Sequence, residues 1–153
     1  MCIIDRYLLE ENREYLVGCQ RRMRDWGLES HFTYAGAPDR EGKIALLRSF
    51  DVFSVPTTYA DPKGLFLLEA MANGLPVVQP RHGAFPEIID RTGGGVLVQP
   101  EAPDALADAL FQLLTDRPKA AALGRAAADG VRSHYTVDQM AASAEQVYAK
   151  VTR

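Results

Sequence analysis

Short apolar runs alternate with longer segments of helical periodicity, and this alternation restricts the fold more than any other feature of the chain. The runs "MCII" (1–4), "HFTYAG" (31–36), "DVFSVP" (51–56), "PVVQP" (76–80) and "GGGVLVQP" (93–100) read as strands. A helix runs through about Trp26, with Leu9, Leu16, Cys19, Met23 and Trp26 on one face and Gly27 as its stop. Further helices are expected over 40–49, with Ile44 and Leu47 inward, over 64–73, closed by Asn73-Gly74, and over a short stretch to Arg91 with Pro86 in its first turn. The pattern predicts the α/β class, a Rossmann-like doubly wound parallel sheet. After Pro100 the strands stop, and helices follow over 103–114, 118–134 and 137–152. The last opens with Thr136 as N-cap and Gln139 three positions on, a capping-box pattern, and carries an apolar stripe of Val137, Met140, Ala144, Val147 and Val151.

At 153 residues the chain is expected to form one domain with a real core. Net charge is −3, with no basic run longer than Arg21-Arg22 near Arg24, which argues against non-specific nucleic-acid binding. Cys2 and Cys19 are too few for a disulfide framework, and no Cys/His spacing fits a zinc site. No apolar run approaches the ~18 residues of a membrane span, and the N-terminus has neither the basic start nor the long apolar middle of a signal peptide. A reducing cytoplasm is the expected compartment.

Sheets of this kind bind ligands outside the carboxyl ends of their strands. The loops at 36–37, 56–64 and 80–84 each follow a strand and lead into a helix. The middle one opens onto "GLFLLEAMA" (64–72), where Glu69 is the single charge in an otherwise apolar or small run. An unpaired carboxylate buried there would cost several kcal/mol or more. Either a cation such as Arg48 or Arg81 meets it, or it faces a cleft and takes hydrogen bonds from a ligand. Gly64, at the helix start, lets an anion approach the unpaired N–H groups and the positive dipole end. Glu69, about a turn deeper, could then accept two bonds from a vicinal diol such as a ribose, with Asp61 beyond the phosphates. The plainer readings stand beside this one: Asp61 is a turn residue before Pro62, Lys63 a solvated charge, and Glu87 a partner of its helix dipole. Gly93-Gly94-Gly95 leads into a strand and reads as a turn, not a phosphate cradle. His134 suits a helix C-terminus, and His82 in "RHGA" is the histidine placed at a ligand-facing turn.

The stretch D-P-K-G-L-F-L-L-E-A-M-A-N-G-L-P-V-V (61–78) resembles the signature of retaining GT-B glycosyltransferases of glycosyltransferase family 4, also called group 1. That signature places two acidic residues eight apart in the pattern E-x-F/K-G-L-x-x-L-E-A-M-A-x-G-x-P-V-V, and here they are Asp61 and Glu69. The resemblance continues through "HGAFPEII", "GGGVLVQP" and "ALADALFQLLTD" and covers roughly residues 31–153. It implies that the chain is the C-terminal, donor-binding half of a GT-B fold. By the same resemblance Glu69 holds the donor ribose and Asp61, the catalytic position, contacts the donor sugar. Gly64 and Leu65 offer backbone amides to the diphosphate beside Lys63, Gly36 and Ala37 lie near the base, and His82 and Gly83 complete the substrate-binding set. The implied substrate is a nucleoside-diphosphate sugar, with no cofactor and no metal for the transfer step.

Two departures from the pattern carry consequences. Asp61 is one methylene shorter than the family's Glu. The family's acceptor-binding domain, and the first strand with the basic pair that grips the diphosphate, have no counterpart before Met1, so the chain is expected to be a C-terminal fragment, inactive alone. The function implied is the donor half of a glycosyltransferase. Alternatives are a non-catalytic nucleotide-sugar-binding or interaction module, and a sugar-nucleotide epimerase of the same architecture. The missing acceptor domain is the expected partner, and the apolar stripe of the last helix, with Tyr148 beside it, suggests self-association. An unpaired sheet edge near Ile3 and Ile4 would favour the same outcome.

Overall fold

The computed structural model describes residues 2–3 and 10–151, with side chains from 13 to 151. The chain divides into two compact units, Met1–Ala45 and Leu46–Arg153.

In the first unit, β1 (Cys2–Ile3) pairs in parallel with β2 (Thr33–Tyr34), Cys2 opposite Thr33 and Ile3 opposite Tyr34. Helix α1 (Glu10–Asp25) turns Leu16, Cys19 and Met23 partly inward, whereas Trp26 is exposed; Leu9 and Ile4 lie outside the described residues. Gly27, in the left-handed conformation at φ 65°, ends the helix with bonds from its N–H to the Arg24 carbonyl and from Leu28 N–H to the Met23 carbonyl, both 2.8 Å. The expected strand at 31–36 is shorter than its apolar run because His31 belongs to a 3-10 turn, Glu29–His31. Asp39 caps α2 (Arg40–Arg48) by accepting from Gly42 N–H at 2.8 Å; Leu47 is buried and Ile44 half-buried.

The second unit is built on β3 (Val77–Pro80), which pairs in parallel with β4 (Gly95–Val98) from Val77↔Gly95 to Pro80↔Val98. All of β3 is buried, as expected for a parallel strand covered on both faces. On one face Val78 packs with Ala109 and Leu113 of α5 (Pro103–Thr115), flanked by Val96, Val98, Leu106 and Leu110. Elsewhere the core is formed by α3 (Leu65–Ala72), α4 (Phe85–Thr92) and α6 (Arg117–His134), through Leu67, Ala70, Met71, Phe85, Ile88, Ile89, Ala127 and Val131. Phe66 joins this side, its ring 6.4 Å from that of Phe53 and 5.8 Å from that of Phe85.

The strand expected over 51–56 is reduced to a single parallel bridge, Phe53 to Val77. Phe53 N–H donates to the Pro76 carbonyl and its own carbonyl accepts from Val78 N–H, both at 3.0 Å. Pairing goes no further because Pro56 has no N–H and because a side chain takes the next partners. Gln79 is fully buried, and in the amide orientation that satisfies both groups it donates to the Val55 carbonyl at 2.8 Å and accepts from Val55 N–H at 3.0 Å. One glutamine thus replaces two ladder bonds.

The glycine run at 93–95 is a packing device, and the strand expected to begin there starts at Gly95. Gly93 is the left-handed C-cap of α4, at φ 67°. A Cβ on Gly94 would strike the Ala127 backbone, and one on Gly95 would lie 2.5 Å from Val77 Cγ2. Helix α6 answers with its own small residues: a Cβ on Gly124 would collide with the Gly74 carbonyl, and one on Gly130 would lie 2.6 Å from Thr92 Cα.

Helix α7 (Val137–Val151) is capped by Thr136, whose hydroxyl accepts from Gln139 N–H at 3.3 Å; the Gln139 side chain donates to the Ser133 carbonyl instead of closing a capping box. Val137, Met140, Val147, Tyr148 and Val151 are all exposed. No helix among the described residues is long and apolar enough to cross a membrane.

The α6 contact gives a direct test. Gly124→Ala is expected to destabilise the chain by about 1–3 kcal/mol, since backbone and not a pliable side chain stands in the way. A urea midpoint equal to the parent's would show that the helix can move away without loss.

Candidate functional site

Two loops leave the carboxyl ends of the Phe53 bridge and of β3, and the structure fastens them together. His82, after β3, places Nε2 2.8 Å from the Thr57 carbonyl. Ala84 N–H donates to the Asp61 carbonyl at 2.8 Å. Gly83, at φ 56°, lies so close that a Cβ there would collide with the Asp61 backbone. Asp61, Gly64, His82 and Gly83 are therefore one cluster.

Within it, Gly64 is buried at φ 60° and forms the left-handed N-cap of α3. A Cβ there would meet Ile88 Cδ1 at 2.6 Å, so both conformation and space call for glycine. Its carbonyl receives Leu67 N–H at 3.0 Å and Leu68 N–H at 3.2 Å, which starts the helix.

Asp61 differs from the expectation that it simply projects toward a sugar. One carboxylate oxygen, Oδ1, accepts from Lys63 N–H at 2.9 Å and from Gly64 N–H at 2.5 Å. Aspartate is short enough to bond to amides two and three residues ahead of it, an Asx-type turn that fixes the chain as it enters α3, whose first turn has no side-chain cap. The Gly64 amide, expected to be open to an anion, has its acceptor within the chain. The Lys63 side chain is exposed.

Glu69 is exposed, which removes the burial penalty raised by its apolar run and excludes a buried pair with Arg48 or Arg81. The run divides by face: Leu67, Ala70 and Met71 point into the core, while Glu69 lies one turn beyond Leu65, itself 60% exposed. His82 also departs from expectation, since its ring faces protein and not an open turn. Nε2 is taken by Thr57, Nδ1 is buried with no partner, and the ring centroid lies 5.5 Å from that of Phe85. In the first unit, Gly36, at φ 63°, and exposed Ala37 form the turn between β2 and α2.

Thr57 and Gln79 organise these loops and carry no sequence signal of their own. A buried glutamine inside "PVVQP" is the one hint, since a fully covered strand otherwise excludes it. Outside the cluster, burial and nearby Glu87 push the Tyr135 hydroxyl above its ordinary pKa, with Arg91 opposing. Among the described residues, no group of three or more His, Cys, Asp or Glu side chains is placed to hold a metal ion.

The parallel α/β architecture is that of one half of a GT-B glycosyltransferase. Residues 2–130 match the family of glycosyl transferases group 1, and the chain belongs to that family. It is 31% identical over 134 residues to a GDP-mannose-dependent alpha-(1-6)-phosphatidylinositol monomannoside mannosyltransferase of Mycobacterium tuberculosis, covering 84% of this chain and 35% of the relative. The chain therefore spans about a third of the length of that relative. It superposes on sucrose-phosphate synthase from Thermosynechococcus elongatus with a TM-score of 0.82 at 26% identity, covering 99% of this chain and 38% of the other. The HepE protein of Anabaena, solved with UDP and glucose, shares the fold, with a TM-score of 0.83 at 22% identity over 97% of this chain and 40% of the other.

The Asp61 turn is testable without any ligand. Asp61→Ala is expected to cost about 0.5–1.5 kcal/mol in equilibrium unfolding, and Asp61→Asn, which keeps an acceptor, markedly less. Equal losses in the two variants would mean that the carboxylate oxygen is not what holds the entry to α3.

Proposed function

We propose that this chain is the donor half of a retaining glycosyltransferase: it holds a nucleoside-diphosphate sugar, and a preceding domain supplies the acceptor. The observation that carries the reading is the placement of the two family carboxylates around the start of α3, Asp61 in the turn that leads into it and Glu69 one turn in on the exposed face. The diphosphate sits at the first turn of α3, on the N–H groups of Gly64 and Leu65, with Lys63 beside it. To reach Gly64 it must displace the Asp61 oxygen. The freed carboxylate then turns to the transferred sugar. Glu69 accepts the two ribose hydroxyls.

In the transfer step the bond between the anomeric carbon and the diphosphate oxygen breaks with its electron pair left on the diphosphate, and an acceptor hydroxyl oxygen bonds to the same face of the sugar as its proton passes to the leaving diphosphate. Charge accumulates on the leaving diphosphate, where the amides and dipole of α3 and the Lys63 ammonium stabilise it. The remaining contribution is alignment of sugar and acceptor. That alignment needs an acceptor-binding half, so the 153-residue chain by itself is expected to transfer nothing.

Glu69 provides the decisive experiment, because its exposure separates binding from stability. Across a calorimetric panel of UDP, GDP and ADP sugars, Glu69→Ala is expected to bind the preferred donor roughly ten- to hundredfold more weakly while remaining folded, since a contact at an exposed carboxylate adds little stability. Equal affinity in variant and parent would remove the ribose role, and turnover by the chain alone would refute the division of labour.

The uncovered stripe of α7 bears on the same reading, since a face meant for another domain is left open to a second copy. Sedimentation at tens of micromolar is expected to show concentration-dependent association, abolished by Val147→Glu. A monomer at every concentration would rule this out.

A further inference from the structure

The segment 54–64 holds Asp61 in position without belonging to any helix or strand. Its first residues are tied by Gln79 to Val55, and its last by Asp61 to the start of α3. Between these ties, His82 reaches in from the neighbouring loop to the Thr57 carbonyl. Thr57 holds the turn that follows, its hydroxyl donating to the Tyr59 carbonyl at 2.9 Å and its N–H to the Val55 carbonyl at 2.8 Å.

We propose that His82 is a positioning residue: through Thr57 it fixes the path of the chain to Asp61, and thereby sets how far a nucleoside-diphosphate sugar is preferred over the bare nucleoside diphosphate. The inference rests on the donor-binding reading above. A carbonyl can only accept, so Nε2 carries the imidazole hydrogen. In the neutral ring Nδ1 is then a bare acceptor, buried and without a partner. An unmet buried acceptor is unfavourable, and an aliphatic side chain would fill the space beside Phe85 without that penalty. The gain that offsets it on the other edge of the ring is the bond to Thr57. The support behind the ring is rigid: Phe85 is fully buried in the first turn of α4, and Phe85 N–H returns to the His82 carbonyl at 3.3 Å. The imidazole therefore transmits the fixed position of α4 to the loop. It does so at the point where Gly83 and Ala84 also meet Asp61, so the loop is held from Thr57 through Asp61 by one short stretch, His82 to Ala84.

The roles divide accordingly. Nucleoside and diphosphate engage α3 directly, whereas the transferred sugar depends on where the Asp61 carboxylate lies. Loss of the clamp should therefore weaken binding of a sugar nucleotide more than binding of the bare diphosphate.

The test uses the 153-residue chain labelled with nitrogen-15, as parent, His82→Leu and His82→Gln. Glutamine can present an N–H near the position of Nε2; leucine cannot. In the parent, ring nitrogen shifts are expected to show hydrogen on Nε2, and the Nδ1–H tautomer would overturn the proposal even if the leucine variant fails to fold. The Lys63 and Gly64 amides, which report on the Asp61 carboxylate, are expected to shift in His82→Leu and to return in His82→Gln. Titration with UDP, GDP and ADP, each with and without sugar, is expected to show the preference for the sugar form falling roughly five- to tenfold in the leucine variant and largely recovering in glutamine. Unmoved amides, an unmoved preference, or equal losses in both variants would each overturn the proposal. A parent that binds none of the nucleotides would instead overturn the donor reading, and the amide signals would still judge the clamp.

Discussion

The close approach of α6 to the rest of the second unit is the constraint on which the other contacts depend. Along this helix Gly124, Ala127 and Gly130 meet, in turn, the Gly74 carbonyl after α3, the backbone at Gly94, and Thr92 at the end of α4. One helix thus fixes the C-terminal ends of two others and the entry to β4. Rigid helices transmit that placement to their opposite ends. There Gly64 begins α3 and Phe85 begins α4, with Ile88 filling the space that a Cβ on Gly64 would need. The loops of the site are positioned from below by contacts that involve no ligand-facing residue. Small residues make this possible because interior packing leaves no slack for an added methyl.

The polar groups follow a similar economy. A parallel sheet would normally satisfy the backbone of the 51–56 segment by pairing along its length. Here it pairs at Phe53 alone, and the Gln79 amide satisfies Val55 from the adjacent strand. The chain is then free to leave the sheet early and form the loop that carries Asp61. A longer strand would carry the chain on past Val55 as regular ladder and leave less of it to reach α3 as loop. The buried glutamine is thus what allows a strand to end where the site begins without leaving Val55 unpaired.

What was legible in the sequence divides by the range of the interaction. The helices from Pro103 onward, α3, and β3 and β4 as strands of a parallel sheet were readable because local periodicity and punctuation, such as Pro103, Gly74 and Gly93, agree with the tertiary structure. The length of the strand near Phe53 was not, because apolar pattern cannot reveal that Gln79 will stand in for the ladder. Glu69 looked anomalous in "GLFLLEAMA" only while the run was read as uniformly buried; on a helix, its turn falls on the exposed face beside Leu65. The glycines of α6 gave no local signal at all. Their meaning lies in Gly74, Gly94 and Thr92, as much as fifty residues away in sequence.

The two carboxylates of the motif show how spacing can be readable while role depends on length of side chain. Glu69 and Asp61 keep the family interval, yet only Asp61 is short enough to bond to the amides at 63 and 64. A glutamate at 61 would have to fold an extra methylene to make the same turn, and would lose more rotamer freedom in doing so. Replacing glutamate by aspartate therefore shifts the carboxylate toward the helix start and away from solvent. On the proposed donor reading, an anion arriving at Gly64 would meet a resident negative oxygen and exchange one charge-assisted bond for another. Its net gain would be smaller than at a bare helix terminus, because the Asp61 bonds are lost as the new ones form. On the same reading selectivity would gain what affinity loses, since only a ligand that offers the displaced carboxylate new hydrogen-bond donors recovers the difference.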